Sequence, residues 1–372
     1  GGMEPRTLVL DIGQHTCKAG YAGDDAPALT FRSLIGRSKH KDVFASSSVN
    51  EEDASVYVAE EAEAKASVCA LSHPVRNARI QNWNDLELLW DRVYKSLGID
   101  ETQHPVLFAE PPCSAKNVRE RLAEVVFERF GAPSAFFAVQ GVLSMYSTGR
   151  ITGLVVDVGE GQVHTVPVFD GFAISNAVEM VHYGGGNVTD SLVRMLGENG
   201  ISVSTSAERE LVRRIKDEHS YASMDVDREA ATFEPKILEF GQSGIRHEFG
   251  SGLIRCVEGL FQPVQFDSEE KGIGELVLSS ISKCDIHTRG ELQRSIICSG
   301  GTTAMEGFGA RLKKELQELC PHGDFKVVEP RDRHNGVWAG ASTFASFSVF
   351  PQLCITKEEY EENGAGFVHV KC

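Results

Sequence analysis

One short pattern occurs twice in this chain, and it constrains the fold more than any other feature. The first copy, at residues 9–25, reads VLDIGQHTCKAGYAGDD and places Asp11 and a glycine between two strand-like segments. The second copy, at residues 153–172, reads GLVVDVGEGQVHTVPVFDGF and places Asp157 in the same position. In both copies a buried strand, a tight turn and a return strand are predicted. The repetition indicates two related halves, although short matches of this kind also arise by chance.

Helical patterns lie between and after the two turns. Residues 115–130 and residues 138–146 carry apolar side chains at helical spacing, and residues 208–218 predict a charged helix. Residues 295–298 read as a strand that leads through Ser-Gly-Gly-Thr-Thr into another helix. Strands that alternate with helices place the chain in the α/β class. The polar, serine-rich residues 41–55 interrupt this pattern and predict a mobile loop.

Charge and composition exclude several classes of function. The formal net charge of −16 disfavours direct nucleic-acid binding, because such a surface repels phosphate backbones. The densest basic run, RLKK at residues 311–314, is expected to be one solvated helix face. No apolar run approaches the roughly 20 residues that cross a bilayer, so no membrane span is predicted. Nine scattered cysteines without a CxxC pair indicate free thiols in a reducing compartment.

The two acidic turns suggest phosphate chemistry. Glycines let backbone N–H groups approach oxygen atoms closely, so two such turns can clasp a polyphosphate, and Lys18 could add a positive charge. If Asp11 and Asp157 faced each other, they could hold a hydrated Mg²⁺ ion, which prefers few carboxylate contacts. The SGGTT segment before a helix offers a further close backbone approach. Ordinary turns and a surface lysine remain open alternatives for each signal taken alone.

Several segments together resemble the actin family. They read CKAGYAGDDAP, HTVPVFDGFA, AEREL, KCDIHTR, SGGTT and VHVKC, and the similarity runs from about Thr7 to Cys372. The chain looks like a diverged actin-related or actin-like protein. The resemblance implies a bilobed α/β fold of the actin, Hsp70 and sugar-kinase type. In this fold, duplicated domains surround a cleft that holds ATP or ADP with Mg²⁺ (or Ca²⁺).

Domain boundaries follow from the same resemblance. Residues 1–147 are expected to form the small lobe, with residues 33–73 as its mobile-loop subdomain. Residues 148–335 are expected to form the large lobe, with about 184–270 as its distal subdomain. Residues 336–372 are expected to return to the small lobe.

The resemblance also implies roles for individual residues. Gln140 matches the glutamine that positions the attacking water, and His164 matches the histidine near it. Asp11 and Asp157 are expected to hold the metal through water. In-line attack of water on the γ-phosphate would follow, with catalysis mostly by positioning and charge stabilisation. The expected nucleotide-binding residues are, in the first phosphate turn, Asp11, Gly13, Gln14, His15, Thr16 and Lys18; in the second, Asp157, Gly159, Glu160, Gly161 and Gln162; and around the nucleoside, Gly185, Arg213, Lys216, Asp217, Gly300, Gly301, Thr302, Met305 and His334.

Several of these positions depart from the family pattern. Gln14 and His15 replace a small serine and glycine in the first turn, and a residue other than glycine could resist the backbone conformation needed there. Glu160 replaces an aspartate. Around the nucleoside, Met305 and His334 replace a tyrosine and a lysine, while Asp217 in place of glutamate is a milder change. The core acids are kept, so we expect nucleotide binding with weak, slow hydrolysis.

Partner surfaces are predicted from the resemblance as well. Actin-family subunits or actin-binding proteins are expected at the cleft bordered by Tyr146, Gly149, Phe172, Phe344 and Phe347, where a helix-in-groove mode suits the aromatic side chains. Ordinary core packing is the alternative for each.

A surface segment bears on assembly. Residues 263–272, PVQFDSEEKG, match the apolar plug of actin filaments but contain Asp267, Glu269 and Glu270, with Lys271 beside them. Unpaired buried charges cost several kcal/mol. Loop 41–55 has diverged too. We therefore expect the chain not to form long filaments alone.

Three functions compete. The first is a cytoplasmic, cytoskeletal actin-like ATPase. The second is a structural subunit of a dynein-activating, nucleating or chromatin-remodelling complex, with a nuclear location as an alternative. The third, a sugar or acetate kinase, would need a catalytic base and a second substrate pocket.

Two other nucleotide-binding classes are excluded by their motifs. A P-loop NTPase is excluded because GxxxxGK[ST] is absent. A Rossmann dehydrogenase is excluded because the second turn leads into a strand.

Overall fold

A computed structural model describes residues 5–38, 56–240, 245–266 and 268–372. The chain forms two compact units. Unit 1 comprises Gly1–Gly149 and Asn335–Cys372, and unit 2 comprises Arg150–His334. The predicted mobile loop at residues 41–55, and Asp267 of the plug, lie outside the described residues.

Strands occur in both units. In chain order they are Leu8–Ile12 (β1), Thr16–Tyr21 (β2), Leu29–Arg32 (β3), Ile35–Ser38 (β4), Val56–Val58 (β5), Cys69–Ser72 (β6), Val75–Arg76 (β7), Arg79–Ile80 (β8), Val106–Glu110 (β9), Ser134–Val139 (β10), Gly153–Val158 (β11), Val163–Phe169 (β12), Phe172–Ala173 (β13), Glu179–Val181 (β14), Lys236–Phe240 (β15), Ile245–Phe249 (β16), Ile296–Ser299 (β17), Val327–Val328 (β18) and Ile355–Thr356 (β19).

Helices alternate with these strands. The α-helices are Glu60–Ala64 (α1), Trp83–Leu97 (α2), Lys116–Glu124 (α3), Gln140–Tyr146 (α4), Gly185–Glu198 (α5), Ser206–His219 (α6), Val226–Ala231 (α7), Gly252–Arg255 (α8), Ile273–Lys283 (α9), Ile286–Gln293 (α10), Phe308–Leu319 (α11), Gly336–Ala345 (α12), Phe350–Leu353 (α13), Lys357–Asn363 (α14) and Val368–Lys371 (α15). A π-helical segment, Val125–Arg129, continues α3. Short 3₁₀ turns cover Glu101–Gln103, Ser175–Ala177, Cys256–Leu260, Pro263–Phe266, Gly301–Ala304 and Ala365–Phe367.

Unit 1 is built on a six-stranded sheet in the order β19-β10-β9-β1-β2-β3. β10, β9 and β1 run parallel to one another, whereas β1, β2 and β3 are joined by antiparallel pairing. Every residue of β1 and β9 is buried, as expected for parallel strands that are covered on both faces. The indole nitrogen of Trp338 in α12 donates a hydrogen bond to the carbonyl oxygen of Val9, so the C-terminal segment completes the core of this unit.

Unit 2 repeats this arrangement with different strands. Its sheet has the order β13-β12-β11-β17-β18, and β14 also pairs with β12. β18, β17 and β11 are parallel, and β11, β12 and β13 are antiparallel. The order β10-β9-β1-β2-β3 in unit 1 corresponds to the order β18-β17-β11-β12-β13 in unit 2. Corresponding strands pair in the same directions, parallel for the first three and antiparallel for the last two. The repeated Asp-x-Gly turn therefore joins equivalent strands in both sheets.

Most of the predicted elements are confirmed. The charged helix at residues 208–218 is α6, which begins with a capping box in which the Thr205 hydroxyl accepts from the Glu208 amide and the Glu208 carboxylate accepts from the Thr205 amide. The helix predicted at residues 138–146 starts two residues later, because Ala138 and Val139 belong to β10. Among the described residues, no helix is both long and apolar enough to span a bilayer. All nine cysteines are free thiols.

The prediction that residues 311–314 form one solvated helix face is wrong. Arg311 is buried, and its guanidinium binds both oxygens of Glu258 at 2.6 and 2.7 Å and one oxygen of Glu315 at 2.8 Å. It also donates to the carbonyl oxygen of Ser223. A buried arginine needs such partners, and here they come from three separate parts of unit 2. Lys313 is the exposed member of the run.

Candidate functional site

The first acidic turn joins β1 to β2 in unit 1. The Gly13 amide donates to the carbonyl oxygen of Thr16 at 2.9 Å, which closes the turn over Gln14 and His15. Neither of these two residues has a positive φ angle. The larger side chains therefore enter the turn without the backbone strain that glycine would relieve.

Asp11 is the centre of a polar cluster at this turn. Its carboxylate is buried, and Nζ of Lys18 lies 3.6 Å from Oδ2. Nε2 of Gln140, the first residue of α4, donates to Oδ1 at 3.2 Å. The structure thus brings together three residues that were predicted for the phosphate site. Because the Gln140 amide nitrogen faces Asp11, its amide oxygen is the atom that can accept a further hydrogen bond.

Gln14 is anchored within the protein. Its side-chain oxygen accepts a hydrogen bond from the backbone amide of Asn77 at 2.8 Å, and Asn77 lies in the turn between β7 and β8. The carbonyl oxygen of His15 accepts from the Ser33 amide at 2.9 Å. The first turn is therefore tied to neighbouring segments of unit 1 by both side-chain and backbone contacts.

The second acidic turn joins β11 to β12 in unit 2. The Gly159 amide donates to the carbonyl oxygen of Gln162 at 3.0 Å. Asp157 is buried, and its Oδ2 accepts from the hydroxyl of Ser299 at 2.9 Å. Gly300 follows with φ of +87°, and an added Cβ would lie 2.5 Å from the Val158 carbonyl oxygen. This close approach requires glycine.

The N-terminus of α5 packs directly on the second turn. The amide of Gly185 donates to the carbonyl oxygen of Gly159, and the amide of Gly186 donates to that of Glu160. A Cβ at Gly184 would lie 2.6 Å from the Gly159 oxygen, and one at Gly185 would collide with the Thr302 hydroxyl. The hydroxyl of Thr302 itself donates to Gly159 at 3.2 Å. The start of α5 thus lies so close to the second turn that glycine is required at both positions.

Sequence reasoning missed Gly184, although three consecutive glycines, 184–186, precede an amphipathic helix pattern. Ser299 begins the SGGTT segment, but its contact with Asp157 was not predicted. That contact depends on the register between β11 and β17, in which Ser299 is paired with Asp157.

The residues predicted around the nucleoside are distributed over unit 2. Nζ of Lys216 in α6 is buried, donates to the Gly185 carbonyl at 3.1 Å and lies 3.2 Å from Asp217. Arg213 pairs with Asp217 and Glu210 on its own helix. The remaining members lie elsewhere: Met305 packs on the core of unit 2, His334 is exposed and lies 3.1 Å from Asp332, and a Cβ at Gly301 would meet open space.

His164 faces Asp157 across the β11–β12 pair. Burial lowers the pKa of its imidazole, and the charge of Asp157 offsets this only in part, so the ring is held neutral. Nε2 of Gln162 lies 3.4 Å from Nδ1 of His164. Within the part of the chain that the structure describes, Nε2 of His164 and Oε1 of Gln162 are buried and have no hydrogen-bond partner.

The comparison with protein families agrees with this geometry. A family model described as Actin matches residues 2–372, which is nearly the whole chain. The chain belongs to the actin family. The mixed helices and strands of both units are consistent with the actin fold. Actin-family domains generally bind a nucleotide with a divalent cation. The chemistry of each unit suits such a group, because each has a glycine-containing turn beside a buried carboxylate, and unit 2 adds two buried polar atoms, Oε1 of Gln162 and Nε2 of His164, that have no partner among the described residues.

The aromatic residues predicted at an actin-type partner surface lie in different units. In unit 1, the rings of Tyr146 and Phe344 stack with centroids 5.5 Å apart, and Phe347 meets Phe344 edge-on at 6.2 Å. Gly149 ends the segment after α4 with a positive φ. In unit 2, Phe172 starts β13 and is 78% exposed. Phe347 and Phe172 are thus accessible, whereas Phe344 is largely covered by other rings.

Proposed function

We propose that this actin-family chain binds ATP or ADP together with Mg²⁺ (or Ca²⁺) and hydrolyses ATP slowly. The observation that carries the proposal is the pair of equivalent acidic turns, each with a buried carboxylate, Asp11 or Asp157, near the end of the strand before it. Glycines in these turns allow backbone N–H groups to approach phosphate oxygens closely.

Each acidic turn has a defined role in the proposal. Amides of residues 14–16 and 160–162 would donate to phosphate oxygens, with Lys18 adding positive charge. Asp11 and Asp157 would hold the cation through its water shell, as Mg²⁺ prefers. The cation, when bound, neutralises negative charge on the phosphates. The Asp11 carboxylate orients the Gln140 amide, so that the amide oxygen can accept a hydrogen bond from water.

Two features support slow hydrolysis. The amide oxygen of Gln14 is engaged by Asn77, so this side chain does not offer that oxygen to a ligand. The carboxylate of Glu160 lies over the start of α5, where an added Cβ at Gly186 would meet it at 3.1 Å. A carboxylate at a helix N-terminus is stabilised by the helix dipole. Glu160 is thereby held by the protein itself. Both substituted side chains are thus engaged by the protein, and this favours slow hydrolysis because neither is free to assist the reaction.

A matched pair of glycines in α5 tests nucleotide binding. Gly185→Ala brings a methyl group against the Thr302 hydroxyl and the Glu160 carboxylate, both on residues of the predicted nucleotide site, whereas the methyl group of Gly197→Ala meets nothing within 4 Å. We expect Gly185→Ala to weaken MgATP binding at least about tenfold, a difference of about 1.4 kcal/mol, and Gly197→Ala to leave it unchanged. Binding is measured by equilibrium dialysis on folded protein.

The unmodified protein provides the decisive measurement. If ATP binds only the native state, MgATP at about a thousand times its Kd should raise the free energy of unfolding by about 4 kcal/mol. Absence of retained nucleotide, together with no shift in thermal melting at millimolar MgATP, would overturn the proposal. A phosphate-release rate in Gln140→Ala equal to that of the unmodified protein would refute the role of Gln140 alone.

A specific observation favours limited or partner-dependent assembly as the cellular role. Lys271, the cation beside the plug acids, lies 3.6 Å from Glu179 and donates to the Ser279 hydroxyl. Lys271 therefore pairs with Glu179, while the side chains of Glu269 and Glu270 are exposed. Val264 of the same segment is 77% exposed. Apolar surface beside acids that have no ion pair among the described residues suits a partner with basic groups better than a second copy of this chain.

Electron microscopy tests this assembly proposal. In magnesium, potassium and ATP at micromolar protein, we expect monomers or short filaments. The double variant Glu269→Gln/Glu270→Gln should lengthen them, because it removes two charges from the contact. Abundant long filaments of the unmodified protein would contradict the proposal. The role as a structural subunit of a larger complex, in the cytoplasm or the nucleus, is the second candidate, and recovery of the chain in a stable complex without ATP turnover would favour it.

A further inference from the structure

Two buried side chains on the second turn form a polar pair with unused hydrogen-bonding atoms. Gln162 and His164 are two positions apart in the sequence, and both side chains are buried. Nε2 of Gln162 is 3.4 Å from Nδ1 of His164. The other polar atom of each side chain, Oε1 of Gln162 and Nε2 of His164, has no partner among the described residues. Buried polar atoms are normally hydrogen-bonded, so this pair indicates a ligand or a water.

The contact between the two side chains determines where the imidazole proton lies. The carboxamide of Gln162 is placed with its nitrogen towards Nδ1 of His164, and because that nitrogen can only donate, this orientation makes Nδ1 the acceptor. A neutral imidazole carries one proton, and it therefore resides on Nε2. The unpartnered atoms are then one N–H donor on His164 and one carbonyl acceptor on Gln162. A water molecule can satisfy both, because it accepts and donates.

We propose that Gln162 is a positioning residue that fixes the neutral imidazole of His164 with its proton on Nε2. His164 then presents a hydrogen-bond donor and cannot act as a general base through that atom. The acceptor of this hydrogen bond would be an oxygen atom of a water molecule or of a phosphate. That assignment of the acceptor rests on the proposed nucleotide binding. The tautomer itself does not depend on that binding.

Nitrogen spectroscopy of the imidazoles tests the tautomer. Protein labelled with ¹⁵N-histidine, without nucleotide, is recorded in proton–nitrogen correlation spectra that distinguish protonated from unprotonated ring nitrogens. The signals of His164 are assigned by their loss in His164→Asn. We expect Nδ1 unprotonated and Nε2 protonated, in roughly tenfold excess over the other tautomer. A protonated Nδ1 in the unmodified protein would overturn the proposal.

Two substitutions of Gln162 separate positioning from simple packing. Gln162→Leu removes the donor and should abolish the excess of one tautomer. Gln162→Glu presents only acceptor oxygens when ionised, so it should reverse the pattern by drawing a proton to Nδ1. Thr165→Val, a change at the next buried residue of β12, is the matched control and should leave the spectrum unchanged. Retention of the original pattern in both Gln162 variants would refute the proposal.

The same samples distinguish this proposal from the proposed function. If MgATP does not bind but the tautomer pattern follows Gln162, nucleotide binding is refuted and the positioning role is supported. If MgATP binds but the pattern ignores Gln162, the positioning role alone is refuted.

Discussion

The hydroxyl of Ser299 donates a hydrogen bond to Oδ2 of Asp157 across 2.9 Å, and both side chains are buried. The two residues lie opposite each other at the ends of the parallel strands β17 and β11. The carboxylate is thereby held in one orientation by the neighbouring strand. Its position depends on the sheet, in addition to the turn that follows it.

We expect Ser299→Ala to lower the free energy of unfolding by about 1.5–3 kcal/mol, because it removes a hydrogen bond to a buried charged group. Urea unfolding followed by circular dichroism measures this change. Ser295→Ala is the matched control, since the buried Ser295 hydroxyl has no partner among the residues that the structure describes. Its removal should have little effect. Equal losses in both variants would contradict the role assigned to the Asp157 contact.

Gly300→Ala should destabilise the protein, whereas Gly301→Ala should not. The φ of +87° at Gly300 is a conformation that costs other residues about 1–3 kcal/mol, and the new Cβ would also crowd Asp157. A Cβ at Gly301 meets nothing within 4 Å. Thermal unfolding of both variants decides the matter. A stable Gly300→Ala protein would mean that the backbone here can move away from β11.

Arg311→Leu should cost about 3–5 kcal/mol, since it leaves the buried carboxylate of Glu258 without its cation. Glu315 loses a partner as well. Lys313→Leu, two residues away on the exposed side of α11, should change stability by no more than about 0.5 kcal/mol. The comparison is made by denaturant titration in the same buffer. Similar small effects in both would show that water reaches Glu258.

The stability of unit 2 should depend on pH through Glu179. Burial raises the pKa of this carboxyl, but hydrogen bonds from Lys283 and Ser279 and the charge of Lys271 outweigh it, so the pKa lies below its ordinary value. Between the folded pKa and the unfolded value near 4.3, the unfolded chain binds more protons, and stability rises with pH. The contribution is present above that window and is lost as the pH falls through it.

Glu179→Gln tests this dependence. The difference in urea midpoint between the unmodified protein and the variant should be largest near neutral pH and shrink below about pH 4. Glu361→Gln, on the exposed surface of α14, is the control and should show no such trend. A difference that stays constant down to pH 3 would rule out an ionic role for Glu179.

Local patterns predicted much of the fold. The strands around both acidic turns and helix α6 were predicted because their periodicity and capping residues are encoded within short segments. Ala138 and Val139 were assigned to a helix, since a short apolar run suits both structures, and only pairing with β9 decides for a strand. Pairing between distant strands leaves no trace in the local pattern.

The glycines and acids of the candidate site could be predicted from the sequence. The residues that hold them in place through contacts with distant segments were harder to predict. Asp11, Lys18 and Gln140 were expected near one another, and they meet. Arg311 was misjudged because its main partner, Glu258, is distant in sequence. The contact of Ser299 with Asp157 was not predicted for the same reason. Residues whose role depends on contacts between distant segments carry no local signal.

The bond from Trp338 to Val9 joins residues 329 positions apart in the chain. It has a consequence for synthesis on the ribosome. A nascent chain that has emerged through Gly149 contains β1, β9 and β10 but lacks α12 and β19, which cover part of their surface. The nascent sheet must wait until α12 and β19 have been synthesised, with apolar side chains uncovered, a state that is prone to aggregate. Unit 2, which is contiguous in sequence, is free to fold first.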